Sequence, residues 1–240
     1  MGWLKKKRKI WPEESDSRQP KTLYEFDADF HKRYEAAIKT VNAVGDTPWR
    51  RLRFYMLERA ARQVKDVPGN ACEIGCFRGL SAYLAADMFQ AMGKKLTFHL
   101  CDSFEGLSAP TANDQNNGNE PSVNIRPGAY ACSEEGLRAH LTKFDFMQFH
   151  KGWIPAPFKK IENERFCYAH IDVDLFEPTR DAIAFLWPRM NPGGVVVLDD
   201  YGIMHYPGAK RAIDSFFAEQ KDSFLIDQPA GNAVVIKLFS

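Results

Sequence analysis

The segment Ala169-His170-Ile171-Asp172-Val173-Asp174-Leu175-Phe176-Glu177-Pro178 most restricts what this chain can fold into. Phe166, Cys167, Tyr168, Ala169 and Ile171 give the apolar run of a buried strand, and buried strands exclude acids. Asp172 and Asp174 arrive where that strand should end, and Pro178 follows at a helix start. On alternate positions of extended chain the two carboxylates point the same way. Like charges that close together need compensation, often a cation. The run Gly193-Gly194-Val195-Val196-Val197-Leu198-Asp199-Asp200 repeats the design: a buried strand, then acids at its C-terminal end. In a parallel sheet both ends open on one edge, where α/β proteins bind ligands. Asp172, Asp199 and Asp200 are therefore expected to form one metal site, with Asp174 beside it. The alternative is that these four acids act as helix caps and ion-pair with Arg180, Lys210 or Arg211.

The remaining elements extend the α/β pattern over 240 residues, the size of one domain. Residues 1–21 read as a charged tail, with Lys5-Lys6-Lys7-Arg8-Lys9 as a solvated basic run or an anionic-surface contact. Residues 22–240 read as a single domain, its first part (22–66) holding two amphipathic helices. Thr47-Pro48 starts the second of these. Strands are expected at Ala71–Ile74, Leu96–Cys101, Phe146–His150, Phe166–Ile171 and Gly193–Leu198. A terminal hairpin is expected around Gly231-Asn232. The resulting architecture is a Rossmann-like sheet of seven strands, mostly parallel, with flanking helices and an antiparallel last strand. Residues 108–131 are polar and aperiodic, which predicts a flexible lid or insertion at the ligand edge.

Charge and cysteine usage narrow the function. A formal net charge of +1 argues against nucleic acid as a partner. No apolar run approaches the roughly 18 residues of a spanning helix, and the basic start lacks the apolar stretch of a secretory signal. The five cysteines show no metal-knuckle spacing, which suits a reduced, cytoplasmic protein.

Two further motifs describe a cofactor site. In Glu73-Ile74-Gly75-Cys76-Phe77-Arg78-Gly79, Gly75 lets the chain turn and Gly79 lets a helix approach closely. Phe77 stands where a dinucleotide fingerprint has its second glycine. That favours a ligand without phosphates, such as S-adenosylmethionine, over NAD. Asp102, in Asp102-Ser103-Phe104-Glu105-Gly106, ends the second strand, placed to accept from ribose hydroxyls or to cap a helix.

Taken together, E-x-G-x-x-x-G, D-S-F-E-G-L, G-W (Gly152-Trp153), D-x-D-L-F-x-x-T and G-G-x-x-x-x-D-D-Y-G resemble the macrocin O-methyltransferase family from about Thr47 to the C-terminus. The resemblance implies a class I methyltransferase using S-adenosylmethionine and a divalent metal. It implies Asp172, Asp199 and Asp200 as Mg²⁺ ligands, Asp174 as general base, and Glu73, Gly75, Asp102 and Ser103 along the cofactor. Val173 stands where Gly is common and Phe176 where Tyr is common. Arg78, Gly152 and Trp153 are added as cofactor contacts, and His205 as a residue able to touch substrate or base. His170 reads as a core histidine, and His150 ends the third strand near where an adenine would sit. The expected partner is a small-molecule or glycan acceptor offering a sugar-like or diol-like hydroxyl; a homo-oligomer is compatible with the pattern. An NAD-linked oxidoreductase and a non-catalytic scaffold are the alternatives.

Overall fold

A computed structural model describes residues 22–43, 45–115 and 125–239. The expected basic tail, Val44 and the middle of the 108–131 segment lie outside the described residues.

The strands are β1 (Asn70–Ile74), β2 (Phe98–Asp102), β3 (Met147–Lys151), β4 (Phe166–Ile171), β5 (Met190–Leu198), β6 (Ser223–Asp227) and β7 (Ala233–Lys237). They form one sheet in the order β3-β2-β1-β4-β5-β7-β6. All pairs from β3 to β5 are parallel, whereas β7 runs antiparallel to β5 and β6. The seven-stranded sheet with its antiparallel last strand thus matches the sequence expectation. Chain order reverses between β1 and β4, so the crevice beyond their C-terminal ends is the switch point where such sheets bind ligands.

The helices are α1 (Leu23–Phe26), α2 (Ala28–Thr40), α3 (Pro48–Gln63), α4 (Leu80–Ala91), α5 (Glu134–His140), α6 (Phe176–Leu186) and α7 (Pro207–Phe217). Helices α2 to α5 cover one face of the sheet, where Phe30, Tyr34, Leu84, Phe89 and Leu100 are buried. Helices α6 and α7 cover the other, over Ile74, Ala169, Ile183 and Val196. The Thr47-Pro48 start of α3 is as the sequence suggests: the Thr47 hydroxyl accepts from the Arg50 amide at 3.1 Å. Helix α6 starts two residues before Pro178. Asp114, in a short 3₁₀ turn of the insertion (Ala112–Asp114), accepts from the Phe176 amide at 2.7 Å and so supplies the cap from outside the helix. Where described, the 108–131 segment is therefore docked: Asp114 is buried and also accepts from the Thr111 amide at 2.8 Å. No helix among the described residues is long and apolar enough to cross a membrane.

His150 does not approach the crevice. Its Nε2 lies 3.0 Å from Nδ1 of His99, both rings buried between β2 and β3. Burial, then the neighbouring His150, pushes His99 from 6.5 down to about 4. The unfolded chain then binds a proton at His99 that the fold rejects, so stability falls as pH drops from about 6.5 to about 4. Chemical denaturation of wild-type and His99→Phe protein across this window checks it. The wild type is expected to lose about 2–3 kcal/mol more than the variant, the carboxylates common to both cancelling.

Candidate active site

The site assembles where β1, β4 and β5 end. The chain leaves β1 through Gly75 at φ +82°, and a Cβ there would sit 1.9 Å from the Asp172 carbonyl oxygen. Only glycine allows the turn after β1 to pass this close to the turn after β4. The amides of Asp172 and Asp199 continue the sheet, donating to Ile74 and Ile171 carbonyls at 2.9 and 3.0 Å. Asp174 then takes a left-handed conformation, φ +60°, which a non-glycine residue adopts at a cost. The amide of Asp174 donates to Asp200 Oδ2 at 3.1 Å, which ties the two strand ends together.

Two overlapping ligand groups, both including Asp172, occupy this corner. Oxygens of Asp172, Asp174 and Asp200 lie within 4.8 Å of one another, as do ligand atoms of His170, Asp172 and Asp199. Burial, then Asp200 and Asp172, raises Asp174 well above the ordinary carboxyl range, with Arg53 and the Tyr206 hydroxyl working the other way. Burial and Asp172 raise Asp200 to about 7, while Arg53 opposes them. The donor set is all hard oxygen apart from one imidazole. Such a buried, mutually repelling group fits a divalent cation such as Mg²⁺ or Mn²⁺.

Three contributors were not visible in the sequence. Arg53, on α3, ion-pairs with the Asp199 carboxylate, reaches Asp200 Oδ1 at 3.7 Å and donates to the Asp199 carbonyl at 3.2 Å. Tyr206 shares a hydrogen bond with Tyr130 (2.9 Å between hydroxyl oxygens), and both line the cavity. His170 is no ordinary core histidine. It is 1% exposed, with Nε2 3.5 Å from Asp199 Oδ1 and Nδ1 3.4 Å from Glu73 Oε2. Burial disfavours its charge, but Glu73 and then Asp172 outweigh this and raise its pKa.

A cavity of about 560 Å³ opens in front of the acids. This lies within the ~300–1,000 Å³ usual for small-molecule sites. Gly75, Asp102, Ser103, Gly152 and Trp153 line it, as do Asp172, Asp174, Asp199 and Asp200. Three expected site residues do not. Glu73 is fully buried behind the wall, its carboxylate accepting from the Ser81 hydroxyl at 2.8 Å, because strand alternation points residue 73 at α4. Arg78 turns outward and donates to the Asn42 carbonyl at 2.6 Å. His205 is exposed on the loop before α7, and its neighbour Tyr206 takes the inward position.

Asp102 lines the cavity, but its carboxylate is already engaged. Oδ2 accepts from the Cys76 and Phe77 amides at 2.7 and 3.3 Å, and Oδ1 from Phe104 at 2.7 Å. Asp102 thus ties the turn after β1 to its own turn, and the helix-cap alternative is not realised, since α4 starts from Gly79 without a side-chain cap. Two of the loop amides that could face a pyrophosphate are engaged by it. Ser103 is likewise bound into its own turn, with Oγ donating to the Gly106 carbonyl at 3.1 Å. The exposed rings of Phe77, Tyr130 and Trp153 line the cavity, as do Trp49 and Phe54 of α3. A glycine-turned floor with aromatic walls fits S-adenosylmethionine.

The family model for macrocin-O-methyltransferase (TylF) matches residues 4–231. The chain belongs to this family. A Streptomyces olivaceus relative, an 8-demethyl-8-(2,3-dimethoxy-alpha-L-rhamnosyl)-tetracenomycin-C 4'-O-methyltransferase, is 32% identical over 142 residues, 57% of this chain and 54% of the relative. Demethyldecarbamoylnovobiocin O-methyltransferase of Streptomyces niveus is 28% identical over 64% of this chain and 60% of its own length. The match thus spans little more than half the length of these curated relatives. Among solved structures, the O-methyltransferase NovP superposes with a TM-score of 0.65 at 25% identity, covering 78% of this chain and 80% of its own. The O-methyltransferase from Bacillus cereus, solved in complex with SAH, shares the fold, with TM-score 0.51, 14% identity, and 93% and 94% coverage. Membership of the TylF family and a class I methyltransferase fold agree with the expectations from sequence.

Proposed function

We propose that this protein transfers the methyl group of S-adenosylmethionine to a sugar or diol-like hydroxyl, using a divalent metal, Mg²⁺ in the first instance, held by Asp172, Asp199 and Asp200. The observation that carries the reading is two overlapping ligand groups, His170–Asp172–Asp199 and Asp172–Asp174–Asp200, beside a cavity whose glycine loop spends its Cys76 and Phe77 amides on Asp102. Family membership and the sugar O-methyltransferases among its relatives support it.

The division of labour follows from the geometry. Gly75, Gly152 and Trp153 would flank the cofactor, with Asp102 holding the loop in shape. When bound, S-adenosylmethionine supplies a methyl already activated by its sulfonium, so the protein's task is chiefly alignment. Trp49 and Phe54 offer apolar faces to the acceptor on the α3 side. A divalent cation would supply Lewis acidity toward the acceptor hydroxyl and fix its direction. Asp174 is the base: its carboxyl is buried, its proton affinity is raised, and it adjoins the acid cluster without pairing to Arg53. It takes the hydroxyl proton as the oxygen attacks the methyl carbon and the carbon–sulfur bond breaks.

The double variant Asp172→Ala with Asp199→Ala tests this. S-adenosylhomocysteine affinity should stay within about threefold of wild type, while methyl transfer falls by at least about 10³-fold, as when essential metal ligands are lost. Intact transfer in the double variant would sink the metal mechanism. Failure of the wild type to bind either S-adenosylmethionine or Mg²⁺ would sink the whole reading.

A further inference from the structure

Arg53 is a cation built into an acid site from far away in the chain. Helix α3 carries it 146 residues ahead of Asp199 in sequence. One terminal nitrogen ion-pairs with the Asp199 carboxylate and lies 3.7 Å from Asp200 Oδ1. The same nitrogen donates to the Asp199 carbonyl at 3.2 Å, while Nε is buried without a hydrogen-bond partner. Its carbon lies 5.6 Å from the centre of the Trp49 ring, one helical turn back and on the cavity wall. The other groups facing this corner are Asp172, Asp174, the His170 imidazole from behind and the Tyr206 hydroxyl.

Mg²⁺ on Asp172, Asp199 and Asp200 needs oxygens at about 2.0–2.1 Å. The guanidinium borders that coordination space, because it ion-pairs with Asp199 and lies 3.7 Å from Asp200 Oδ1. Two cations crammed against the same oxygens repel strongly in so buried a corner. Trp49 provides a place to go, since an arginine moving off the acids can remain over an aromatic face. We propose that Arg53 is a tethered counter-ion: it holds the acids together in the metal-free protein and moves toward Trp49 when the metal enters. Metal binding is thereby coupled to the α3 wall that faces the acceptor, so that the acceptor pocket takes its final form only after the metal is in place. The inference rests on the metal site proposed above.

The test is calorimetric titration of the full chain with Mn²⁺ at about pH 8. If the state with Arg53 on the acids dominates by about ten to one, apparent affinity is reduced in proportion. Arg53→Gln should then tighten Mn²⁺ binding by about tenfold or more and lower the melting temperature of the metal-free protein. Arg53→Lys, which keeps the charge, should stay nearer wild type. A second readout needs no change at residue 53. Mg²⁺ should alter tryptophan emission in the wild type, and Trp49→Phe should remove that change. Unchanged or weaker Mn²⁺ binding in Arg53→Gln, or a Mg²⁺ response that survives Trp49→Phe, would overturn the displacement and leave the metal site standing. No Mn²⁺ binding by the wild type would remove the metal site, and this inference with it.

Discussion

Asp174→Asn is expected to reduce methyl transfer by about 10²–10⁴-fold, the range for loss of a positioned general base, while S-adenosylhomocysteine binding remains near wild type. The substitution isolates proton transfer. Asn keeps the shape of Asp and tolerates the left-handed backbone found here, φ +60°. It retains the backbone amide that donates to Asp200 at 3.1 Å, so the link between the β4 and β5 ends survives. Removing one charge also relieves the repulsion that Asp174 shares with Asp200 and Asp172. The variant should therefore be at least as stable as wild type, and the kinetic loss cannot be blamed on unfolding. Single-turnover transfer with saturating cofactor and Mg²⁺ measures the effect. A residual rate within about fivefold of wild type, well inside what a lost base removes, would reassign Asp174 to a structural role.

Gly75→Ala should have the largest effect on stability, about 2–5 kcal/mol. This combines the cost of a left-handed L-residue, about 1–2 kcal/mol, with that of forcing apart a packed contact, about 1–3 kcal/mol. The added methyl would fall 1.9 Å from the Asp172 carbonyl oxygen and 3.0 Å from Val173. The neighbour that must yield is backbone of the acid-bearing turn, so the variant should lose Mn²⁺ and cofactor binding together with stability. Gly93→Ala is the matched control. Its φ is also positive, at +64°, but nothing lies within 4 Å of the new methyl. It should show the conformational cost alone, about 1–2 kcal/mol. Equal losses in the two variants, read by urea denaturation, would mean that the crossing of the turns after β1 and β4 matters less than argued.

The sheet and the acid corner were legible because both break a rule locally. A buried strand that ends in carboxylates is a conflict of polarity, and Asp172, Asp199 and Asp200 announce it without any partner being known. The glycine turn is legible for the same reason, since Gly75 removes a Cβ where a strand should end. What could not be read was supplied across the fold. Arg53 sits on an ordinary-looking amphipathic helix, and nothing nearby in sequence marks it as the cation of the site. The start of α6 moved ahead of Pro178 because Asp114, 62 residues away, caps it. Asp102 offered two roles on sequence grounds; three amides settle where its carboxylate points. Glu73 belongs to the right motif, yet the alternation of β1 turns it to Ser81 and His170 rather than to the cavity. In the loop after β5, adjacent residues exchange places: Tyr206 faces inward and His205 outward.

On the reading proposed here, one cavity holds both the methyl donor and a divalent metal on the strand-end acids. The most direct measurement is a crystal grown with S-adenosylhomocysteine and Mn²⁺, with data collected for the anomalous signal of manganese. One anomalous peak is expected, bounded by Asp172, Asp199 and Asp200, with the cofactor's sulfur facing it from the Gly75 and Trp153 side. A cofactor bound elsewhere, or no anomalous peak at these acids at saturating Mn²⁺, would contradict it.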